Sequence, residues 1–496
     1  MKTAAAVFTS KYSILLSVLF SGLCYYFGNG LNGDFWYLVW LAPIPIICLS
    51  IVHSGKVAFL VSFVTYFIGR LSWFWYLVKV ATLLPAIIFT LSPAFIFAGI
   101  ILLSRSAALK LNTWYSLFAF PVFFTTFEYL LIKYAPDGTA ASIAYSQMNC
   151  LPLIQIASVA GILGITFIVT LIPSSLAFAW LFRNEKRSLT YLSICSGSII
   201  AGVLLFGIFR LNNTFTTDKI KVGMVVTDEK AHNTSDKPND MKDKAAADAY
   251  LKQIDTLARY GVSAILLPER ALSIDKLSEN ETTKLLINAA IDNNVYIITG
   301  YTNLKEEKEY NSAIVINNKG NIVTDYNKVH LVTGLESQFI PGNGIGLFKF
   351  NNLQSGIAIC KDLDFQGYIR QYGKNSPNIL FIPAWDFAVD DWLHSRMAIL
   401  RGVENGFSEV RAARVGRLTI SDCYGRVIAE SSSSNQGPAT LIGEVPTQRF
   451  DTFYTKFGDC MGTFCFLLSA LLIFILYIGS YLFDFKRLNV SGDIPR

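Results

Sequence analysis

Three short apolar runs end on residues that can do chemistry. GIAICKDLDF (356–365) carries Cys360 into Lys361, Asp362 and Asp364, LLPER (266–270) sets Glu269 behind a buried-looking run, and DYNKVHL (325–331) presents Lys328. These are a thiol, a carboxylate and an ammonium. A thiol near its ordinary pKa of about 8.5 is mostly protonated at neutral pH, and a nearby ammonium lowers that value. A carboxylate within hydrogen-bond reach takes the thiol proton as general base. After attack on a carbonyl, the lysine and the backbone N–H following the cysteine stabilise the oxyanion. The sum is acyl transfer through a thioester. Each residue also has a plainer reading. A free cysteine at a strand end commonly fills a core, a glutamate after proline caps or faces water, and a lysine on a hairpin arm is surface.

The elements around these residues alternate. KVGMVV (221–226), SAILLPE (263–269) and VYIITGY (295–301) are short apolar runs rich in β-branched residues and read as buried strands. Helical spacing fills 240–260 and 279–293 between them. SAIVINNKGNIVTDY (312–326) has the form of a hairpin turning at Asn-Lys-Gly. GIAIC (356–360) and NILFIPA (378–384) follow as strands, then a helix over about 390–405 and strands through 408–430 that turn at Tyr-Gly. This order predicts a layered α/β sandwich, with the three chemical residues at strand ends along its rim, where sites form.

The sandwich is only part of the chain. Of 496 residues, 52% are hydrophobic and 16% charged, against about 25% charged in ordinary soluble proteins. The excess lies in 1–212 and beyond 461, so three regions are expected: a bundle over 1–212, an α/β domain over 213–460, and a last span with a short tail over 461–496. A span needs about 20 mainly apolar residues. Eight candidates result, at about 11–28, 35–52, 57–77, 84–104, 114–133, 155–182, 189–211 and 462–484, with Arg70 and Pro173 interrupting the third and sixth. One set of short connections and ends carries Lys2, Lys11, Lys56, Arg105, Lys110, Arg183, Lys186, Arg187, Lys486 and Arg487, the other only Lys79, Lys133 and Arg210. By the positive-inside rule both termini are cytoplasmic and 213–460 lies across the membrane. In a two-membrane bacterium that side is the periplasm, and the chemistry there runs without ATP.

Intramembrane Glu128 calls for a polar partner in the bundle or a functional role. Trp73, Trp75 and Tyr76 read as an interfacial aromatic belt, or as a gate for a lipid substrate. The cysteines (Cys24, Cys48, Cys150, Cys195, Cys360, Cys423, Cys460, Cys465) form no CxxC pair. The histidines (His53, His232, His330, His394) show no metal spacing, so neither a metal nor another cofactor is expected. Without a Lys/Arg tract of the nucleic-acid type, nucleic acid is not an expected partner. Sparse intramembrane charge and the lack of an inverted repeat argue against a transporter.

Glu269, Lys328 and Cys360, in that order, resemble the nitrilase superfamily over residues 219–447, which implies an αββα sandwich. Seven spans, such a domain and a final span resemble the apolipoprotein N-acyltransferase family. PDGTAASIAYSQMNCLPLIQIASVAGILGITF (136–167), YNKVHLVTGLESQFIPG (326–342) and WLHSRMAILRGVENGFSEVRAARVGRLTISDCYGRV (392–427) are similar to that family's stretches. The resemblance implies Glu269 as base, Lys328 as oxyanion stabiliser, Cys360 as nucleophile, and Glu336 as a second acid that orients the lysine or receives the incoming amine. It implies a phospholipid acyl donor and a diacylglyceryl-modified lipoprotein acceptor at the bacterial inner membrane. The chain is expected to act as a monomer. A membrane-tethered nitrilase-type amidase and a non-catalytic membrane scaffold are the alternatives. Several segments depart from the family's pattern. Lys361 and Asp362 stand where the family has an aromatic residue and then Glu, Thr333-Gly334-Leu335 replaces Pro-Phe-Gly, AWDFAVDDW matches Asn-Asp-Trp loosely, and the Lys328–Cys360 segment is short. The added cation at Lys361 either lowers the thiol's pKa further or points to solvent.

Overall fold

The computed structural model describes residues 8, 10–212, 218–227, 240–305, 308–434 and 438–479. Lys2, His232, Lys486, Arg487 and the tail after 479 lie outside the described residues.

Among the described residues, six helices are long and apolar enough to cross a membrane: Gly55–Ala81, Leu83–Leu111, Trp114–Tyr134, Ala157–Leu181, Lys186–Asn212 and Cys460–Tyr477. Two of the eight expected spans are lesser elements. Lys11–Gly28 has 18 residues and falls outside that set. The 35–52 segment yields a four-residue turn of helix, Leu38–Leu41, and the ten-residue Pro43–Val52. At 1.5 Å per residue the latter is well short of a bilayer core of about 30 Å. Arg70 and Pro173 each sit inside a helix. Arg70 is buried with its guanidinium over the Trp73 ring.

Among the described residues the α/β part has thirteen strands: β1 Lys219–Val226, β2 Ala264–Leu266, β3 Leu272–Asp275, β4 Tyr296–Lys305, β5 Lys308–Ile316, β6 Ile322–Asn327, β7 Gly346–Phe350, β8 Leu353–Ile357, β9 Ile379–Trp385, β10 Ser408–Arg414, β11 Arg417–Ser421, β12 Val427–Ser432 and β13 Ala439–Pro446. One sheet runs β13-β1-β2-β4-β5-β6, with β3 also pairing β4; the other runs β12-β11-β10-β9-β8-β7. The β1–β2–β4 and β8–β9–β10 pairings are parallel.

Side chains alternate across each strand, and the apolar ones sort into three layers. Val222, Met224, Leu266, Ile298 and Val315 of the first sheet meet Phe350, Ile357, Phe381, Val410 and Ile420 of the second. The first sheet's other face (Val225, Ile265, Ile297, Ile314) is covered by helices Asp240–Ala258 and Glu281–Asp292, through Tyr250, Ile254 and Leu286. The second sheet's other face is covered by Gln366–Lys374 and Asp391–Asn405, through Ile369, Tyr372 and Ala398. The result is the expected αββα order.

Helix Asp391–Asn405 is buried nearly all round, as a helix between two bodies must be. Its other face puts Leu393, Met397, Leu400 and Val403 into the same apolar cluster as the bundle. Polar ties join the halves at the same place. Ile162 N donates to Glu404 Oε1 (2.8 Å), Gln155 Nε2 to the Tyr424 carbonyl (2.8 Å), and Arg401 Nη2 to Tyr145 Oη (3.2 Å). Glu128 finds its expected partners there too. Its carboxylate accepts from Ser142 Oγ (2.8 Å), Ile143 N (2.8 Å) and Thr166 Oγ1 (2.5 Å), fastening the 135–156 connection to the bundle. Trp73 is buried and donates to the Asn29 carbonyl, and Tyr76 is half-buried, so of the expected aromatic belt only Trp75 is widely exposed.

Candidate active site

The carboxyl ends of the parallel strands β2, β8 and β9 open onto one rim, the usual place for a site in sheets of this kind. Glu269 lies just beyond β2. Its N–H donates to the Ala384 carbonyl on β9 (3.3 Å), which ties the two sheets together. Close packing below it depends on Gly300 of β4, where a Cβ would stand 2.6 Å from Glu269 Cα and from the Pro268 carbonyl oxygen. Lys328 follows β6 directly, its N–H bonded to the Asn311 carbonyl of β5 (2.8 Å).

The charged groups meet. Lys328 Nζ, 1% exposed, lies 2.7 Å from Glu269 Oε1 and 2.9 Å from Glu336 Oε2, both carboxylates being buried. Asn311 Nδ2 donates to both carboxylates at 2.6 Å, and Val332 N donates to Glu336 Oε2 (2.7 Å). Glu269 Oε2 is buried with no hydrogen-bond partner, leaving a lone pair to receive a proton.

The environment separates the two carboxylates. Burial, with the negative charge of Glu336, raises Glu269 above the usual range against the pull of Lys328. Burial also opposes ionisation of Glu336, but Lys328 and the amide donors outweigh it and hold Glu336 low. Lys328 is raised: burial disfavours its charge, and Glu269, Cys360 and Glu336 together more than restore it. Two acids pushed in opposite directions suit two different roles. Glu269 is the one whose surroundings favour taking up a proton, and Glu336 is a standing counter-ion.

Cys360 joins this group through β9: its Sγ lies 3.5 Å from the Trp385 carbonyl, next to the Ala384 carbonyl that receives the Glu269 N–H. Two expectations about it are corrected. Strand β8 stops at Ile357, not at Cys360. Cys360 instead opens a 3-10 turn, Cys360–Asp364, with its own backbone left-handed at φ +42°. The reason is Asp362, whose carboxylate accepts from Ile359 N (3.0 Å), His330 N (2.9 Å) and Val329 N (3.2 Å). That clamp bends the chain and pins the turn to the residues after Lys328. Nor is the thiol's pKa lowered. Burial, then Glu269, pushes it well above the ordinary value, against the weaker pulls of Lys328 and Arg411. The resting group is a neutral thiol, directed at the Trp385 carbonyl (3.5 Å). Lys361 does not point to solvent. It is buried, 2.8 Å from Asp137 Oδ1 and 3.6 Å from Asp364 Oδ2.

Sequence reasoning missed several neighbours. Asn311 sits mid-strand, where nothing in the local pattern marks it. Asp386, just past β9, is held below the carboxylate range despite burial by a two-pronged pair with Arg411 of β10 (2.9 and 2.6 Å). His394 lies 3.3 Å from Asp390 and 3.5 Å from Asp386, and although burial opposes its charge these acids hold it up to about 9. The DDW segment was legible only as a loose match.

Comparisons with known proteins match two separate parts of the chain. The family model described as Carbon-nitrogen hydrolase matches residues 237–453. The one described as Apolipoprotein N-acyltransferase N-terminal domain matches 21–175. The chain is 23% identical to "Apolipoprotein N-acyltransferase 1" of Treponema denticola over 77% of this chain and 81% of that one. It is 24% identical to "Apolipoprotein N-acyltransferase" of Geobacter metallireducens over 70% and 72%. Among solved structures, an amidase from Nesterenkonia sp. is similar at 15% identity with a TM-score of 0.41, over 49% of this chain and 95% of that one.

Proposed function

This chain is a divergent member of the apolipoprotein N-acyltransferase family, and we propose that it acylates lipoproteins in two steps through Cys360. The donor is a membrane phospholipid. Glu269 accepts the thiol proton as sulfur attacks the ester carbonyl, and the oxyanion forms beside Lys328 Nζ. As the intermediate collapses, the C–O bond breaks. The departing lysophospholipid oxygen takes the proton from Glu269, and a thioester remains. The acceptor is the N-terminal amine of a lipidated lipoprotein. In the second step that amine attacks the thioester and Glu269 takes its proton. The C–S bond then breaks, an amide is released, and sulfur regains its hydrogen.

The observation that carries this reading is the buried Glu269–Lys328–Glu336 ion cluster in electrostatic contact with Cys360. A neutral resting thiol needs a base at the moment of attack, and Glu269, with a raised pKa and an unpartnered oxygen, is suited to be it. Glu336, held anionic, keeps Lys328 charged and oriented. The domain sits on the extracytoplasmic side of the inner membrane, where a thioester conserves the acyl ester's energy without ATP.

The alternative within the same chemistry is hydrolysis. The membrane half, matched by the family's own N-terminal domain model, favours transfer between lipid-borne partners over water as acceptor. Intact mass spectrometry of the full chain, with and without phospholipid, tests the reading. Wild type gains the mass of one acyl chain and passes it to a diacylglyceryl peptide, while Cys360→Ala, matched by melting curve, gains nothing. Free fatty acid without amide product would refute transfer, and acylation of Cys360→Ala would refute the nucleophile.

A further inference from the structure

The turn that carries Cys360 is held from two sides. Asp362 ties it to the residues after Lys328. On the other side three consecutive residues of the membrane half, Asp137, Gly138 and Thr139, close on it. Asp137 Oδ1 accepts from Lys361 Nζ at 2.8 Å. Thr139 N and Oγ1 both donate to the Asp364 carbonyl, at 2.9 and 2.8 Å. Gly138, at φ +52°, passes so close that a Cβ would stand 2.5 Å from the same carbonyl oxygen.

We propose that Asp137, acting through Lys361, is a positioning residue for the acylation step, so that the membrane half sets where the Cys360 sulfur stands relative to Glu269 and Lys328. The inference rests on Cys360 being the nucleophile. A left-handed backbone at a non-glycine residue is strained and persists only where its surroundings over-determine it. Lys361 is the next residue, and its side chain is 9% exposed. Without Asp137, that buried charge keeps only the longer contact to Asp364 at 3.6 Å. It must then draw toward Asp364 or swing outward, and either motion turns the peptide that follows Cys360. That peptide carries the N–H expected to assist Lys328 at the oxyanion. Displacements of about 1 Å at reacting atoms cost on the order of a hundredfold in rate. The pair also spans the two halves of the chain, so a shift of the 135–142 connection when lipid occupies the bundle would reach the nucleophile directly.

The test uses the full chain in phospholipid–detergent micelles, following single-turnover acylation of Cys360 by mass. Asp137→Asn and Lys361→Met are each expected to slow acylation roughly ten- to a hundredfold, with the half-saturating phospholipid concentration unchanged. Asp137→Glu is expected to recover most of the rate. The double variant is expected to be no slower than the slower single, because the two act as one unit. Should Lys361→Met fail to fold, the comparison of Asn with Glu at 137 decides. Acylation at the wild-type rate in Asp137→Asn, or equal loss in Asp137→Glu, overturns this inference alone. A wild-type chain that never acylates Cys360 overturns the nucleophile assignment and this inference with it.

Discussion

Replacing Lys328 by methionine removes the cation from between two buried carboxylates. Glu269 and Glu336 lie 2.7 and 2.9 Å from the ammonium and are 3% and 8% exposed, so neither recovers its lost interaction from water. Breaking one side of a buried, hydrogen-bonded ion pair costs about 3–5 kcal/mol. Domains of about 150–250 residues lose roughly 2–4 °C in Tm per kcal/mol, so the α/β domain should melt about 10 °C lower. The loss also has a definite pH dependence. Glu269 is already raised by burial and by Glu336, and losing Lys328 raises it further. An acid whose folded pKa exceeds its unfolded one binds more protons when folded. Its stabilising protonation is complete below the unfolded glutamate value of about 4.3, and is lost as pH rises through the folded value. The deficit of Lys328→Met against wild type must therefore be smaller at pH 5 than at pH 8. Tryptophan-fluorescence melting in detergent at both pH values measures it, with single-turnover acylation alongside, where loss of an oxyanion donor should cost about 10²–10³-fold. A Tm deficit independent of pH, or larger at pH 5, would refute the claim that Glu269 shares a buried charge cluster with Lys328.

Four further experiments address other parts of the molecule. Glu269→Gln removes a charge that raises the Cys360 thiol, so alkylation of Cys360 by iodoacetamide at pH 8, read by peptide mass mapping, should become faster while phospholipid acylation falls about 10²–10⁴-fold; slower alkylation would contradict the sign. In wild type the same alkylation rate should still be climbing at pH 9, since burial and Glu269 hold the thiol well above its ordinary value; a plateau below pH 8 would mean a preformed thiolate. Gly300→Ala places a methyl 2.6 Å from Glu269 Cα, and overpacking of this kind costs about 1–3 kcal/mol, so both Tm and acylation should drop, with acylation unaffected only if Glu269 is not the base. Glu128→Ala strands three donors, on Ser142, Ile143 and Thr166, at about 1–3 kcal/mol for a buried unsatisfied group; Glu128→Gln should keep part of that network and melt between the two.

The alternation of apolar runs identified most strands of the sandwich, because buried parallel strands leave a signal that survives without tertiary context. Glu269 and Lys328 lie where the runs stop, and the stops are visible. The end of β8 was not, because GIAIC is apolar throughout and the strand is broken by Asp362, a residue downstream whose carboxylate reaches back to Ile359 and across to Val329 and His330. The shortness of Pro43–Val52 was masked in the same way, since composition reports apolarity over 35–52 and not where helical hydrogen bonding starts.

The sign of the thiol's shift was misread for a related reason. Sequence places a lysine near a cysteine, but the outcome depends on how much water the fold removes and on a second charge of the opposite sign. At the sulfur, burial and the negative charge of Glu269 outweigh the pull of Lys328. A site built this way keeps the sulfur protonated at rest. This also explains why the turn bearing Cys360 is braced by Asp362 on one side and by Asp137 and Thr139 on the other: with no standing thiolate to attack at a distance, reactivity depends on where the sulfur is held.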